Sequence, residues 1–272
     1  MACRVDYHCH SSFSHDSETP MEDMVKQGIK LGIEEICFTE HKDLAPDYEW
    51  TGYYDDKKYS DTLNVLKRNY GIKIKIQKGV EVDFQSRTQK QFEKFLLDFD
   101  FDFVIASVHA VNGIFIREGF FELVSPKEAF DIYFREVESL SRLKNFSVLG
   151  HLDYIKRFNE VYYEEHLVQF MGTIENSLKN LIANKCGLEL NLSGFRHGLN
   201  QPYPHKEILK MYRKLGGELI SIGSDSHKPG QLGKHYEKGI EILKECGFDS
   251  FYTWEKKYPW KIRFGCDEGK LP

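Results

Sequence analysis

The sequence predicts an α/β fold in which seven parallel strands, each followed by a helix, form a closed or nearly closed barrel. Three observations favour this fold. Short apolar runs of strand length alternate along the chain with amphipathic stretches of helix length. The chain has 272 residues, a length at which α/β barrels form one domain, so we assign residues 1–272 to a single domain. Histidine and acidic residues also recur at the predicted strand ends, which meet at one face of such a barrel.

Local signals set the bounds of the elements. Pro20 precedes the first helix, Gly32 follows it, and Pro126 opens the fourth helix. Strict alternation at residues 72–76 is typical of a strand. The predicted strands are residues 5–10, 34–39, 72–81, 101–108, 147–149, 188–192 and 219–223. The predicted helices are residues 21–31, 57–69, 89–97, 126–143, 164–184, 204–215 and 234–245. The aromatic and basic segment 251–272 is expected either to pack against the barrel or to form a last strand.

Composition and charge argue against several classes of protein. Hydrophobic residues make up 41% and charged residues 29% of the chain, as in ordinary globular domains. The net charge of −5 and the pI near 6.1 argue against nucleic-acid binding, which needs a basic face. We find no secretory signal and no apolar run that could cross a membrane. Six scattered cysteines indicate reduced thiols, so we expect a cytoplasmic protein.

The first predicted strand carries the motif Asp6-Tyr7-His8-Cys9-His10, and His15 follows five residues later. Because side chains alternate along a strand, Asp6, His8 and His10 are expected on one face. Two imidazoles on one face can bind a metal ion, and a carboxylate behind them can accept an imidazole N–H. We therefore predict that this strand supplies metal ligands and that Asp6 orients one of them.

Potential ligands also stand at the ends of the later strands. The nine candidates are His8, His10, His15, His41, Glu81, His109, His151, Asp225 and His227. Histidines this frequent at strand ends are not expected of unrelated core residues. Imidazole and carboxylate ligands without thiolates favour Zn, Mn or Fe. Nine ligands are too many for one ion, so Glu81, which has two oxygens to share, is expected to bridge two ions.

These motifs resemble those of the polymerase-and-histidinol-phosphatase (PHP) family of metal-dependent phosphoesterases. The matching segments are residues 6–10, 38–41, 79–81, 107–109, 150–153 and 223–227. Glu40 stands where this family usually has Asp, which puts only the geometry behind the ligand His41 in doubt. The resemblance implies a distorted (β/α)7 TIM-like barrel that holds three divalent metal ions.

The resemblance also implies a ligand set for each ion. The first set is His8, His10, Glu81 and Asp225, the second is Glu81, His109 and His151, and the third is His15, His41 and His227. A hydroxide that bridges two metals is expected to attack phosphorus, with Asp225 or a metal-held water as proton donor. We accordingly assign catalytic roles to Asp225, Glu81 and His227.

Within this family the chain is most similar to stand-alone histidinol-phosphate phosphatases, which carry a stretch like residues 189–196. This similarity implies that the substrate is a small phosphate monoester, L-histidinol phosphate, cleaved to L-histidinol and phosphate in histidine biosynthesis. Its phosphate needs charge-assisted donors, and arginines supply them. Arg157 and Arg196 follow strand ends and are our main candidates, with Arg117 as a third.

Two other functions stay open at this point. Another phosphoesterase of the same family, a nucleotide phosphatase or a nuclease, would need a basic groove with stacking aromatic residues. A metal-binding regulatory module without activity would be favoured by a missing ligand, and none is missing. The aromatic loop 48–59 could stack on a base or an imidazole, but we favour a lid that packs on its own aromatic residues.

Overall fold

A computed structural model of the protein describes residues 3–117 and 119–265. Its central parallel sheet consists of β1 (Val5–Cys9), β2 (Glu35–Lys42), β3 (Lys75–Asp83), β4 (Phe103–Ser107), β7 (Val148–Leu149), β8 (Gly187–Asn191) and β9 (Ile220–Gly223). Each strand pairs with the next one in this order, and all the pairs are parallel. The side chains of these strands are almost all buried, as expected for strands covered on both faces.

The barrel is nearly closed between its first and last strands. The N–H of His10 donates to the carbonyl of Ser226 over 2.8 Å, and the N–H of Ser226 donates to the carbonyl of His8 over 3.3 Å. These bonds lie just beyond β9, where a single bridge pairs Cys9 with Ser226. The predicted (β/α)7 barrel, distorted at this seam, is therefore confirmed.

All seven predicted helices are present in the described residues. The helices are α1 (Met21–Lys30), α2 (Asp56–Tyr70), α3 (Gln89–Asp98), α4 (Phe120–Leu123), α5 (Pro126–Ser141), α6 (Glu160–Asn184), α7 (Lys206–Lys214) and α8 (Tyr236–Glu245). The Asp55 side chain accepts the N–H of Lys58 at the start of α2, which satisfies one of the free amides of that helix end. None of the helices in these residues combines the length and the apolar character needed to cross a bilayer.

Some bounds differ from the predicted ones in ways that matter for the site. β2 and β3 run on past their predicted ends, so His41 and Glu81 lie within strands and face each other across one ladder position. α6 begins at Glu160 instead of residue 164 because the Asn159 side chain caps it. The sequence did not predict α4 or the hairpin of β5 (Ala110–Val111) and β6 (Ile114–Phe115).

The C-terminal segment forms an antiparallel hairpin of β10 (Ser250–Glu255) and β11 (Tyr258–Arg263). Trp254 is buried, and its ring centroid lies 5.8 Å from that of Tyr7 and 4.8 Å from that of Phe103. Phe103 begins its strand, so the hairpin closes the N-terminal end of the barrel, opposite the strand exits. The tail thus packs against the barrel, which was one of our two expectations for this segment. Residues 266–272 of the segment lie outside the described part of the chain.

Candidate active site

The C-terminal ends of the strands surround a cavity of about 330 Å³. Its walls are formed by His15, Asp16, His41, Asp43, Glu81, His109, Phe115, Arg117, His151, Tyr154, Arg157, Arg196, His197, Asp225, His227 and Gln231. His8 and His10 are fully buried beneath it and contact Glu81. The structure therefore brings all nine predicted ligands to one face of the barrel, because parallel strands end there together.

Glu81 lies at the centre of this cluster. Its Oε1 is 2.9 Å from Nε2 of His151 and 3.4 Å from Nε2 of His109. Its Oε2 is 3.2 Å from Nε2 of His8 and 3.1 Å from Nδ1 of His41. Burial raises the pKa of Glu81, but the charges of the surrounding histidines outweigh burial and hold it well below its usual range. Each oxygen thus faces different histidines, which is the arrangement that a bridging carboxylate needs.

The described residues contain three groups of potential metal ligands, and within each group the donor atoms all lie within 4.8 Å of one another. They are His8, His10 and Glu81, then Glu81, His109 and His151, and finally His10, His41 and His227. The second group is identical to a set that the family resemblance implied. The first lacks only Asp225, whose Oδ1 is 3.7 Å from Nε2 of His8 and 3.6 Å from Nε2 of His10. The third contains His10 where we expected His15.

Asp16, which the sequence analysis missed, lies beside this third group. Its Oδ2 is 3.1 Å from Nε2 of His227 and 3.5 Å from Nε2 of His41. Burial raises the pKa of Asp16, but His41 and His227 outweigh burial and lower it far below its ordinary value. The carboxylate therefore faces the same space as the two imidazoles. A carboxylate directly after a predicted ligand was the available signal in the sequence.

His15 has different neighbours. Its ring stacks on Trp50 with the centroids 4.5 Å apart and the planes 5° from parallel. Its Nδ1 is 3.7 Å from Oδ2 of Asp43, and its ring centroid lies 5.4 Å from that of His41. His15 thus lines the mouth of the cavity between the cluster and an aromatic loop, and it belongs to none of the three groups of donor atoms found in the described residues.

Glu189 connects two of the ligand groups from behind. One of its oxygens is 2.5 Å from Nδ1 of His8, and the other accepts the backbone N–H of His151 over 2.8 Å. A β-carbon at Gly223 would collide with the His8 side chain, so glycine lets His8 and Glu189 meet there. A carboxylate on Nδ1 leaves Nε2 of His8 to face the cluster and fixes the ring.

Asp6 does not orient an imidazole, which corrects the expectation from the first strand. Its carboxylate accepts the backbone N–H groups of Ser224 and Gly233, each over 2.9 Å, and the Ser224 hydroxyl. Asp6 therefore holds the loop after β9 and acts on the cluster only through the backbone. The alternation of side chains could not show this, because Ser224 and Gly233, whose N–H groups Asp6 accepts, lie more than 200 residues away in the sequence.

Glu40, the departure from the family pattern, binds two serines of the first loop. Its oxygens accept the Ser11 hydroxyl over 2.5 Å and the Ser14 hydroxyl over 2.6 Å. The Ser14 oxygen is in turn 3.0 Å from Nδ1 of His10. Glu40 thus contacts the candidate ligand His10 through Ser14.

The three candidate arginines all line the cavity. Arg196 donates from Nη1 to the carbonyl of Ser224 and from Nη2 to the carbonyl of Asp225, each over 2.6 Å. Asp225 has a φ of +53°, a conformation that is costly for a residue with a β-carbon. Arg196 therefore stabilises the backbone that presents Asp225. The Arg117 guanidinium lies 5.6 Å from the centroid of the Trp50 ring, in a cation–π contact.

The aromatic loop packs on aromatic neighbours. Ala45, Tyr48, Ala110 and Phe115 form a small cluster apart from the main core, and Trp50 packs against it. The Tyr48 and Phe115 ring centroids are 4.4 Å apart. This arrangement is the one that we favoured for the loop, with the addition that Trp50 reaches His15.

The donor set fits divalent metal ions. Its atoms are imidazole nitrogens and carboxylate oxygens at the end of a barrel, which suit borderline metals better than soft ones. Nε2 of His10 is buried and has no hydrogen-bond partner among the described residues, although it faces the cluster. Burying such an atom without a partner costs free energy, and a metal ion would satisfy it.

The protonation of the candidate ligand histidines would link metal binding to pH. Burial lowers the pKa of His8 and of His41, but nearby carboxylates outweigh burial and raise both well above the usual range. Burial likewise lowers the pKa of His109, yet Glu81 and Asp83 raise it to about 10. Protonation of these histidines therefore stabilises the metal-free fold. The contribution is complete below roughly pH 6.5, the ordinary pKa of histidine, and it is lost as the pH rises towards the raised pKa values.

Metal should therefore stabilise the protein more strongly as the pH increases, because a metal ion binds only neutral imidazoles. We expect the difference in Tm between zinc-loaded and chelator-treated protein to widen from roughly pH 6 to pH 9. Thermal unfolding followed by circular dichroism at both pH values measures it. A difference that is constant or narrows over this range would contradict the assignment of these histidines as ligands.

Comparison with known proteins places this site in a family. The PHP domain profile matches residues 6–193 of the chain. A histidinol-phosphatase of Lactococcus lactis is 30% identical over 258 residues, which cover 92% of this chain and 94% of the relative. A probable histidinol-phosphatase of Thermotoga maritima is also 30% identical, over 93% of this chain and 97% of the relative.

Solved structures agree with the sequence comparisons. The crystal structure of Lactococcus lactis histidinol phosphate phosphatase, in complex with zinc, L-histidinol and phosphate, matches with a TM-score of 0.86 and 29% identity. The match covers 96% of this chain and 100% of that one. A putative histidinol phosphatase of Listeria monocytogenes shares the fold, with a TM-score of 0.78 and 21% identity over 86% of this chain and 99% of that one. The resemblance read from the motifs is thus confirmed, and the chain belongs to the PHP domain family.

Proposed function

We propose that this chain is a metal-dependent histidinol-phosphatase, which hydrolyses L-histidinol phosphate to L-histidinol and phosphate. The main support is the match to the Lactococcus lactis enzyme, which was solved with zinc and with both of these products. Curated relatives with the same activity match nearly the whole chain. The nine candidate ligands and three arginines around one cavity supply the chemistry that such a reaction needs. The five cysteines in the described residues are free thiols, which supports a cytoplasmic location.

We further propose that three divalent ions, of Zn, Mn or Fe, are held here. His8, His10, Glu81 and Asp225 would hold the first, Glu81, His109 and His151 the second, and Asp16, His41 and His227 the third. Ions bound there would acidify a water molecule and neutralise the charge of the phosphate oxygens. Asp16 replaces His15 in the third set because its carboxylate lies between the two imidazoles.

The protein side chains then bind the phosphate and move protons. Arg157 and Arg196, with Arg117 at the mouth, are placed to donate to the phosphate oxygens. Burial raises the pKa of Asp225, but nearby histidines outweigh it and keep the carboxyl ionised near neutral pH. A carboxylate with a lowered pKa is a weak base, so Asp225 would take the proton of the attacking water only once a bound ion has acidified that water, and it would then give this proton to the leaving alkoxide. His227 stands next to Asp225, with its Nδ1 3.7 Å from Oδ1, and supports the charge on that carboxylate.

The substrate assignment is tested with a panel of phosphate esters on metal-loaded protein. We expect the highest kcat/KM for L-histidinol phosphate, with lower values for p-nitrophenyl phosphate and mononucleotides and no cleavage of diesters. A preference for a nucleotide or a diester would overturn the assignment and favour another phosphoesterase of the family. Full metal content without any turnover would instead indicate a regulatory module.

Arg196→Ala should lower kcat/KM about a hundredfold, because it removes both a phosphate donor and the support of Asp225. The factor should be similar for histidinol phosphate and for p-nitrophenyl phosphate, which share only the phosphate. Steady-state kinetics with both substrates measure it. Arg213→Ala is the matched control, since Arg213 also donates to a backbone carbonyl, that of Gly247, but lies outside the cavity. Wild-type kcat/KM in Arg196→Ala would refute the role.

A further inference from the structure

Two buried charges lie beside the cavity without lining it. The Lys156 and Asp153 side chains are both 0% exposed, and Nζ of Lys156 donates to Oδ2 of Asp153 over 3.0 Å. The other oxygen of Asp153 is buried and has no hydrogen-bond partner among the described residues. Neither group is a candidate metal ligand, and neither is needed by the proposed chemistry. Such a pair calls for another explanation.

The pair joins the loop after β7 to the loop after β8. Nζ of Lys156 donates to the carbonyl of Pro202 over 2.7 Å. Oδ2 of Asp153 accepts the backbone N–H of His205 over 2.9 Å and the hydroxyl of Tyr163, on α6, over 2.7 Å. The ion pair therefore holds residues 202–205 at both ends and ties them to a long helix.

Both of the joined segments carry residues that line the cavity. Arg157 follows Lys156 directly in the 3-10 helix Tyr154–Phe158. In the other loop, Tyr203 is fully buried, and its hydroxyl oxygen is 3.3 Å from Nδ1 of His197, which also lines the cavity. The Tyr203 backbone exchanges two hydrogen bonds with Asn191 at the end of β8. The relative position of Arg157 and His197 thus depends on the bonds of the ion pair.

Stability is a poor reason for such a pair. Removing two charges from water costs several kcal/mol, and apolar residues of similar volume are often as stable or more so. What a hydrogen-bonded ion pair does provide is a fixed geometry, because its bonds are directional and expensive to leave unmade. The benefit is therefore expected in the position of the residues that it holds.

We propose that Asp153 and Lys156 are positioning residues, which set Arg157 and His197 at the distance that the substrate phosphate requires. The inference rests on the proposed function, because it assumes that Arg157 binds the phosphate. The pair acts on the binding of substrate and product. It does not act on the metal ions, whose ligands it does not touch.

The test replaces the pair with neutral residues of similar size, Asp153→Asn together with Lys156→Met. A single Lys156→Met would leave a buried carboxylate unpaired and endanger the fold. We expect unchanged metal content, a KM for histidinol phosphate and a Ki for inorganic phosphate that both rise about tenfold, and a kcat that changes far less. Arg157→Ala should lower kcat/KM much less in this double variant than in the wild type, because the arginine of the double variant is already misplaced.

A matched control is the double variant Glu35→Gln with Lys75→Met. Glu35 is a buried carboxylate 3.7 Å from Nζ of Lys75 at the opposite end of the barrel. We expect wild-type KM and Ki in this control. Tyr163→Phe is a milder variant that removes one bond to Asp153 and should raise KM about threefold without loss of the fold.

The outcomes separate the inference from the proposed function. The positioning role alone would be overturned if two results were found together. The first is a wild-type KM in both the Asp153→Asn, Lys156→Met double variant and Tyr163→Phe. The second is an equal loss of kcat/KM on Arg157→Ala in the wild type and in the double variant. No cost of Arg157→Ala in the wild type would overturn the phosphate role of Arg157 and the inference with it. A raised KM with reduced metal content would also overturn it, since the pair would then act through the metal cluster.

Discussion

Glu81→Ala should abolish turnover and remove metal from two sites. Each oxygen of this carboxylate faces different histidines. Its Oε1 lies 2.9 Å from Nε2 of His151, and its Oε2 lies 3.2 Å from Nε2 of His8. We expect a fall in kcat of at least about a thousandfold and a metal content about two ions below that of the wild type. Elemental analysis and steady-state kinetics on the same preparation measure both.

Two further variants make this prediction specific. Glu81→Gln keeps the shape of the side chain and the bond from the Ser107 hydroxyl, so it separates loss of charge from loss of volume. Glu35→Gln is the matched control, because Glu35 is also a fully buried barrel carboxylate but lies at the N-terminal end of β2. It should keep wild-type metal and turnover. Full metal and full activity in Glu81→Ala would refute a bridging role.

The potential ligands that stand at the ends of successive strands could be predicted from the sequence. His41, Glu81 and His109 each stand at the end of a stretch that could be recognised as a strand, and parallel strands end at one face of a barrel. Their convergence therefore needed no knowledge of helix packing or of loop conformation. The number of potential ligands also predicted more than one ion before any distance was known.

The residues that orient the ligands could not be predicted in the same way. Glu189 lies inside β8, a buried strand in which apolar side chains are expected. Its partner His8 is 181 residues away in the sequence. Asp6 looked like a partner of an imidazole because it shares a face with His8, yet its bonds go to the loop after β9. Both cases depend on the register between distant strands, which local periodicity does not contain.

The hairpin of β5 and β6 shows a second limit. Its strands have two residues each, too short to leave a periodic pattern. Even so, they place Phe115 against Tyr48 and so shape the mouth of the cavity. Phe115 also lines the cavity, so a hairpin that leaves no periodic pattern in the sequence forms part of the wall of the site.

Asp16→Ala should remove about one metal ion and lower kcat about a hundredfold, whereas His15→Ala should keep the full metal content. The reason is geometric. Oδ2 of Asp16 lies 3.1 Å from Nε2 of His227 and 3.5 Å from Nε2 of His41, while the ring of His15 stacks on Trp50 and its Nδ1 faces Asp43. Zinc content by elemental analysis, with turnover on histidinol phosphate, compares the two variants directly.

A second signal distinguishes the neighbouring residues. His15→Ala removes the ring that stacks on Trp50, so it should change the tryptophan fluorescence of the protein while the metal content stays constant. Asp16→Ala should leave that stack in place and change the metal content instead. The opposite result, a lost ion in His15→Ala and full metal in Asp16→Ala, would restore the ligand set that the family resemblance implied. It would then follow that the side chain of His15 turns away from Trp50 towards His41 when metal binds.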